Sequence, residues 1–112
     1  MTFIALPINA TSGNVLVQEA GATTATQTTP ALSTTSATLL ASNTSRRAAS
    51  VYNGSTANVF VRLSATAASS TVYTIKLAAA GYYEVPGNYT GAITAILDAG
   101  TTSLVQVTEV TY

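Results

Sequence analysis

Glu84, Asp98 and Glu109 are the carboxylates of the C-terminal two-thirds of the chain, and acid–base chemistry would have to start from them. Two carboxyl groups held about 5–9 Å apart would suit glycoside hydrolysis. Nothing in the sequence brings two of them together. Asp98 opens Asp98-Ala99-Gly100, a turn in which its side chain bonds local backbone. Glu84 and Glu109 read as strand-end or surface charges. Ser and Thr hydroxyls are plentiful, but the chain has no His to activate one, and Lys76 sits inside a strand pattern. With no His and no Cys, the usual zinc, haem, iron–sulfur and thiol chemistries lose their ligands or nucleophiles, so no metal or cofactor is expected. No Gly-x-Gly-x-x-Gly or Walker-type loop occurs, and Gly87 and Gly91 read as turn glycines. The expectation is a protein without an enzymatic activity.

The remaining candidates are groups that bind. Arg46-Arg47 is the only charge doublet. It suits a solvated strand start, a salt bridge at a contact between subunits, or a phosphate site. Four basic against four acidic side chains, with a net charge of zero, fall short of the basic stripe that nucleic acid requires. Tyr82, Tyr83 and Tyr89 cluster around Pro86-Gly87. Adjacent strand residues point to opposite faces, so only one of Tyr82 and Tyr83 can enter a core. The other is free to pack on a loop or a partner, and an aromatic ring can also stack on a sugar.

The elements that must position these groups follow from composition and period. A chain of 112 residues suits one domain that buries roughly two-thirds of its unfolded surface. Only 7% of the residues are charged, against about a quarter in ordinary soluble domains. Such a surface repels its own copies weakly, so the natural state is expected to be an assembly. The chain divides near residue 37. Residues 1–36 hold one strand candidate, Asn14–Glu19, followed by Ala22–Ser36, which lacks apolar periodicity and reads as a loop or an extended arm. Residues 37–112 read as short strands with regular turn signals. Among them, Asn53-Gly54-Ser55 looks like a hairpin turn joining Arg47–Asn53 to Asn58–Leu63. A further strand, Thr71–Leu77, would put Tyr73, Ile75 and Leu77 on one face. About eight short strands and no helical stripe predict an all-β fold, an antiparallel β-sandwich or jelly roll with an extended N-terminal arm. No stretch approaches the roughly twenty apolar residues of a membrane span, and the first residues lack the basic region of a secretory signal.

Six pieces occur in a fixed order: Asn43–Arg47, Val51–Asn53, Val59–Leu63, Gly81–Pro86, Tyr89–Ile93 and Val107–Glu109. The ordered set resembles small virion structural proteins of tailed bacteriophages, among them head decoration (cement) proteins and related modules of phage fibres. The resemblance spans about two-thirds of the chain and leaves residues 1–36 outside it. It implies a non-catalytic β-domain on the outside of an icosahedral capsid, bound to the major capsid protein, often as a homotrimer, and stabilising the shell. Neither nucleic acid nor membrane is an expected partner. Phe3, Ile4, Leu6 and Ile8 are candidate anchors, since burying each contributes roughly 1.5–3 kcal/mol. Arg46, Arg47, Tyr82, Tyr83 and Tyr89 complete the candidate protein interface. A head–tail or fibre adaptor and a carbohydrate-binding, adhesin-like domain are the alternatives.

Overall fold

Alternating β-branched and polar residues, interrupted every few positions by Gly, Asn, Pro or Ser, make short strands the favoured local structure. In the computed structural model, which describes residues 21–112, eight strands form. They are β1 (Thr24–Thr28), β2 (Ala37–Leu40), β3 (Arg46–Asn53), β4 (Val59–Arg62), β5 (Ile75–Leu77), β6 (Tyr82–Val85), β7 (Ile93–Leu97) and β8 (Val105–Thr111). All pairings are antiparallel, in two four-stranded sheets ordered β1-β8-β3-β6 and β2-β7-β4-β5. Apart from the link between β4 and β5, every connection crosses from one sheet to the other. This is the wiring of a jelly-roll sandwich.

The core lies between the sheets. Val51 of β3, Val105 and Val107 of β8, Val59 and Val61 of β4, and Ile93 and Ala95 of β7 are completely buried. They occupy alternate positions on their strands, as a pleat with one inward face demands. Leu32, from the link before β2, joins them, and its backbone exchanges two hydrogen bonds with Thr102.

Segment 22–36 therefore differs from the loop or arm expected of it. Its Thr-rich stretch forms β1, in register with β8 from Thr24 opposite Thr111 to Thr28 opposite Val107. All five β1 residues are exposed on both faces, so no apolar period could announce the strand. The candidate anchors Phe3, Ile4, Leu6 and Ile8, and the strand candidate Asn14–Glu19, lie outside the described residues.

The expected hairpin at Asn53-Gly54 does not form. β3 and β4 belong to different sheets, and neither Asn53 nor Gly54 has the positive φ of a tight hairpin turn. Asn53 is instead fully buried. Its side-chain amide donates to the carbonyls of Ala57, Leu77 and Ala78 at 2.7–3.1 Å, and its Oδ1 accepts from Ser55 backbone N–H and hydroxyl. Its backbone carbonyl accepts from Ala80 N–H, and its own N–H donates to Gly81. One asparagine thus ties the end of β3 to the loops before β4 and after β5. Gly54 is needed for a different reason: a Cβ there would sit 2.6 Å from the Leu104 carbonyl oxygen.

The strand expected over Thr71–Leu77 is regular only at Ile75–Leu77. Tyr73 leaves the core side and packs on Phe60, with ring centroids 4.9 Å apart, on the outer face of the second sheet. Residues 63–74 fold over that face. Thr94 Oγ1 donates to the Thr66 carbonyl, Ala68 N–H donates to Ser36 Oγ, and Ala68 is buried. Among the described residues, one outer face of the sandwich is covered and the other is bare.

Asn53→Ala removes the donor shared by the Ala57, Leu77 and Ala78 carbonyls and should lower stability by about 3 kcal/mol. Asn53→Asp should cost at least as much at neutral pH, because a carboxylate would face those carbonyls, and part of the loss should return on acidification as the acid protonates. Urea midpoints at both pH values check this. A pH-independent deficit for the Asp variant would contradict the donor role.

Candidate interaction surface

β3 begins with two arginines, and an irregularity of register decides their fates. Counting back from Asn53, Val51 and Ala49, strict alternation would send Arg47 inward and Arg46 outward. Between Arg46 and Ala48 the pairing with β8 slips: Arg46 faces Thr111 while Ala48 faces Val110. The extra residue of this bulge re-aims Arg46 into the protein. Arg46 is 3% exposed. Its Nε donates to Glu109 Oε2 at 2.8 Å, Nη1 to the carbonyls of Gly91 (2.8 Å) and Tyr89 (3.4 Å), and Nη2 to the Ala41 carbonyl (2.6 Å). Asn43 Nδ2 donates to the other Glu109 oxygen at 3.3 Å, and its Oδ1 accepts from Ser45 N–H. Arg46 is therefore neither a solvated strand start nor an inter-subunit or phosphate-binding group. Its charge is balanced inside the chain, because a buried guanidinium needs a carboxylate and carbonyls around it. Glu109, expected as a surface charge, is that carboxylate.

Arg47, half-buried, donates to the Tyr112 hydroxyl at 2.9 Å and lies 4.9 Å from the centre of its ring. Tyr89 is half-buried and held within the chain: its hydroxyl donates to the Ala92 carbonyl at 2.7 Å, and its ring folds over Gly91, where a Cβ would come within 2.6 Å of the hydroxyl oxygen. Tyr83 and Tyr82 divide as adjacent strand residues must. Tyr83 packs against the core, and desolvation by this burial pushes its phenol pKa up. Tyr82 is 56% exposed. Asp98 accepts from Asn58 through both carboxylate oxygens, at 3.1 and 2.7 Å, so it clasps the start of β4 instead of its own turn.

The bare outer face of the first sheet is what remains available. Register places its outward side chains in three rows. Tyr82, Tyr52 and Gln106 form one, Glu84, Ser50, Thr108 and Gln27 the next, and Ala48, Val110 and Ala25 the third. Tyr52, which sequence reasoning left out, is 42% exposed beside Tyr82. Its signal was its place at an outward position of β3 opposite the Tyr82-Tyr83 pair, which requires the β3–β6 pairing to be known. Small residues on β3 and β8 leave a groove of about 260 Å³ between Ala48, Ser50, Thr108 and Val110 and a wall of Tyr82 and Glu84. Tyr82 donates its hydroxyl to Glu84 at 3.1 Å. Glu84, Asp98 and Glu109 are thus separated by their roles, and no group of three or more potential metal ligands occurs among the described residues.

Comparison of the chain with protein-family models, curated proteins and solved structures gives no match.

Glu84 and Glu109 look alike in sequence but differ in burial of their partners. Glu109→Ala leaves a buried guanidinium without its counter-charge and should cost about 3–5 kcal/mol. Glu84→Ala, on the open face, should stay within about 0.5 kcal/mol of the parent. Chemical denaturation of both variants checks the contrast; equal losses would contradict it.

Proposed function

We propose that this chain is a non-catalytic capsid decoration (cement) protein of a tailed bacteriophage, located on the virion exterior. It binds the major capsid protein as a homotrimer and braces the head. The observation that carries the reading is where the resembling pieces fall. Asn43, Arg46, Tyr89, Gly91 and Glu109 form one polar hub, Asn53 and Gly81 meet in the other, and Val51, Val59, Val61 and Val107 fill the core. The resemblance to virion proteins therefore lies in the residues that hold the sandwich together. Jelly-roll wiring recurs in viral capsid domains, which supports the reading at the level of fold.

Surface chemistry supports it further. Among the described residues β1 is an edge strand, with five exposed residues and neither a charge nor a proline to deter pairing. Surfaces of this kind are completed by neighbours. The apolar cluster Phe3, Ile4, Leu6 and Ile8 precedes β1 in sequence and is the proposed fastening to the shell. Arg46 and Tyr89 drop out of the interface because the chain itself uses their polar groups.

Two measurements test the proposal. Light scattering of the purified protein should give the mass of a trimer. Incubation with undecorated heads should give saturable binding at many copies per head, and deletion of residues 1–12 should abolish it while the circular dichroism of the sandwich is kept. Occupancy confined to a tail or a single vertex would assign the adaptor role instead, and unchanged occupancy of the truncated protein would overturn the anchoring role of this segment.

A further inference from the structure

We infer that the bare face of the first sheet is a binding site for a neutral oligosaccharide, with Tyr82 as the stacking platform and Glu84 as the acceptor of sugar hydroxyl protons. This goes beyond the proposed capsid role and does not depend on it.

The groove has three properties that a sugar requires together. The first is an exposed aromatic ring whose position is already fixed. The Tyr82 hydroxyl is held by Glu84 at 3.1 Å, so little side-chain freedom remains to be lost on binding. The second is a set of hydroxyl-matching groups beside that ring. Glu84, Ser50, Thr108 and Gln27 lie in one row across the four strands, alternating acceptor-only, hydroxyl and amide chemistry. With strands about 4.8 Å apart, the row is roughly 14 Å long, enough for a short run of sugar rings. The third is a floor low enough for a ring to approach: Ala48, Ser50, Thr108 and Val110 bound a groove of about 260 Å³. That is small beside drug-sized clefts and suits a single sugar ring with its neighbours lying along the row.

Charge selects the class. Glu84 carries the only charge in the three rows, and it is negative. A nucleic acid or an acidic glycan would meet repulsion and, among the described residues of these rows, no cation. A protein partner would find Ser, Thr, Gln and Ala across the middle and far rows, with the aromatics Tyr82 and Tyr52 confined to one margin of the face instead of its centre. The second sheet provides an internal contrast. Its outer face also carries an exposed tyrosine, Tyr73, but that ring packs on Phe60, and the polar row of that sheet, Arg62, Thr94 and Thr38, includes a cation and has Thr94 buried and bonded to the Thr66 carbonyl.

The test uses the isolated full chain, so its outcome is separate from capsid binding. Maltotriose, cellotriose, the N-acetylglucosamine trimer and lactose are titrated to millimolar concentration while backbone amide shifts are followed by NMR. At least one should move the signals of Ser50, Tyr82, Glu84 and Thr108 and saturate. Tyr82→Ala should weaken that binding about tenfold. Glu84→Gln should weaken it as well, and Tyr73→Ala should leave it unchanged. Absence of saturable shifts with all four sugars, or binding insensitive to Tyr82→Ala, would overturn the inference. So would a self-association that Tyr82→Ala abolishes, which would assign the face to a second copy of the chain.

Discussion

The fold depends on one guanidinium placed where water does not reach. Arg46 draws together the link after β2, the link before β7 and the strand β8, segments that are remote in sequence and would otherwise meet only through irregular backbone. Its donors satisfy carbonyls of Ala41, Tyr89 and Gly91 that could not be reached by a sheet ladder. Burying a charge is costly, and Glu109 offsets this only if Arg46 points inward. The bulge at the start of β3 is therefore part of the same interaction. Without the extra residue the neighbouring Arg47 would enter instead, and Arg46 would be turned away from Glu109. A shift of register between β3 and β8 is penalised electrostatically as well as through the apolar pattern.

β3 is also closed at its other end by a polar residue. Asn53 does with a neutral amide what Arg46 does with a charge, gathering loops from both sheets around one side chain. Between the two hubs, Ala49 and Val51 face the core, and Ala48, Ser50 and Tyr52 face outward. Because the hubs secure the crossings between sheets, the outward residues of β3 and its neighbours carry little structural duty. That freedom lets one outer face stay small, polar and open, whereas the opposite face is roofed by residues 63–74.

The strands were legible because alternation is a local property. Tyr82–Val85 and the inward set Val59, Val61 follow directly from it, as does the division of Tyr82 from Tyr83. What was not legible depended on partners far along the chain. Glu109 and Arg46 are 63 residues apart, so one read as a surface charge and the other as a solvated or inter-subunit cation. Asn53-Gly54-Ser55 has the composition of a hairpin turn, but composition does not say which sheet receives the next strand. β1 escaped for the opposite reason: it buries nothing, so burial left no imprint on its sequence. Within the candidate surface, Tyr82 could be named from its neighbours. Its companions Tyr52, Ser50 and Thr108 came together only through the cross-strand register.

The way β1 is attached has a mechanical consequence. Among the described residues it is joined to the sandwich along one side, by its ladder to β8, and contributes no side chain to the core. Leu32 and its bridge to Thr102 fasten the chain immediately afterwards. Among the described residues, 21–31 can peel away as a strap while the interior stays closed, an opening that costs far less than global unfolding. The vacated margin of β8 would accept the same strap from an adjoining molecule in identical register, so copies could lace together by strand exchange without either one melting.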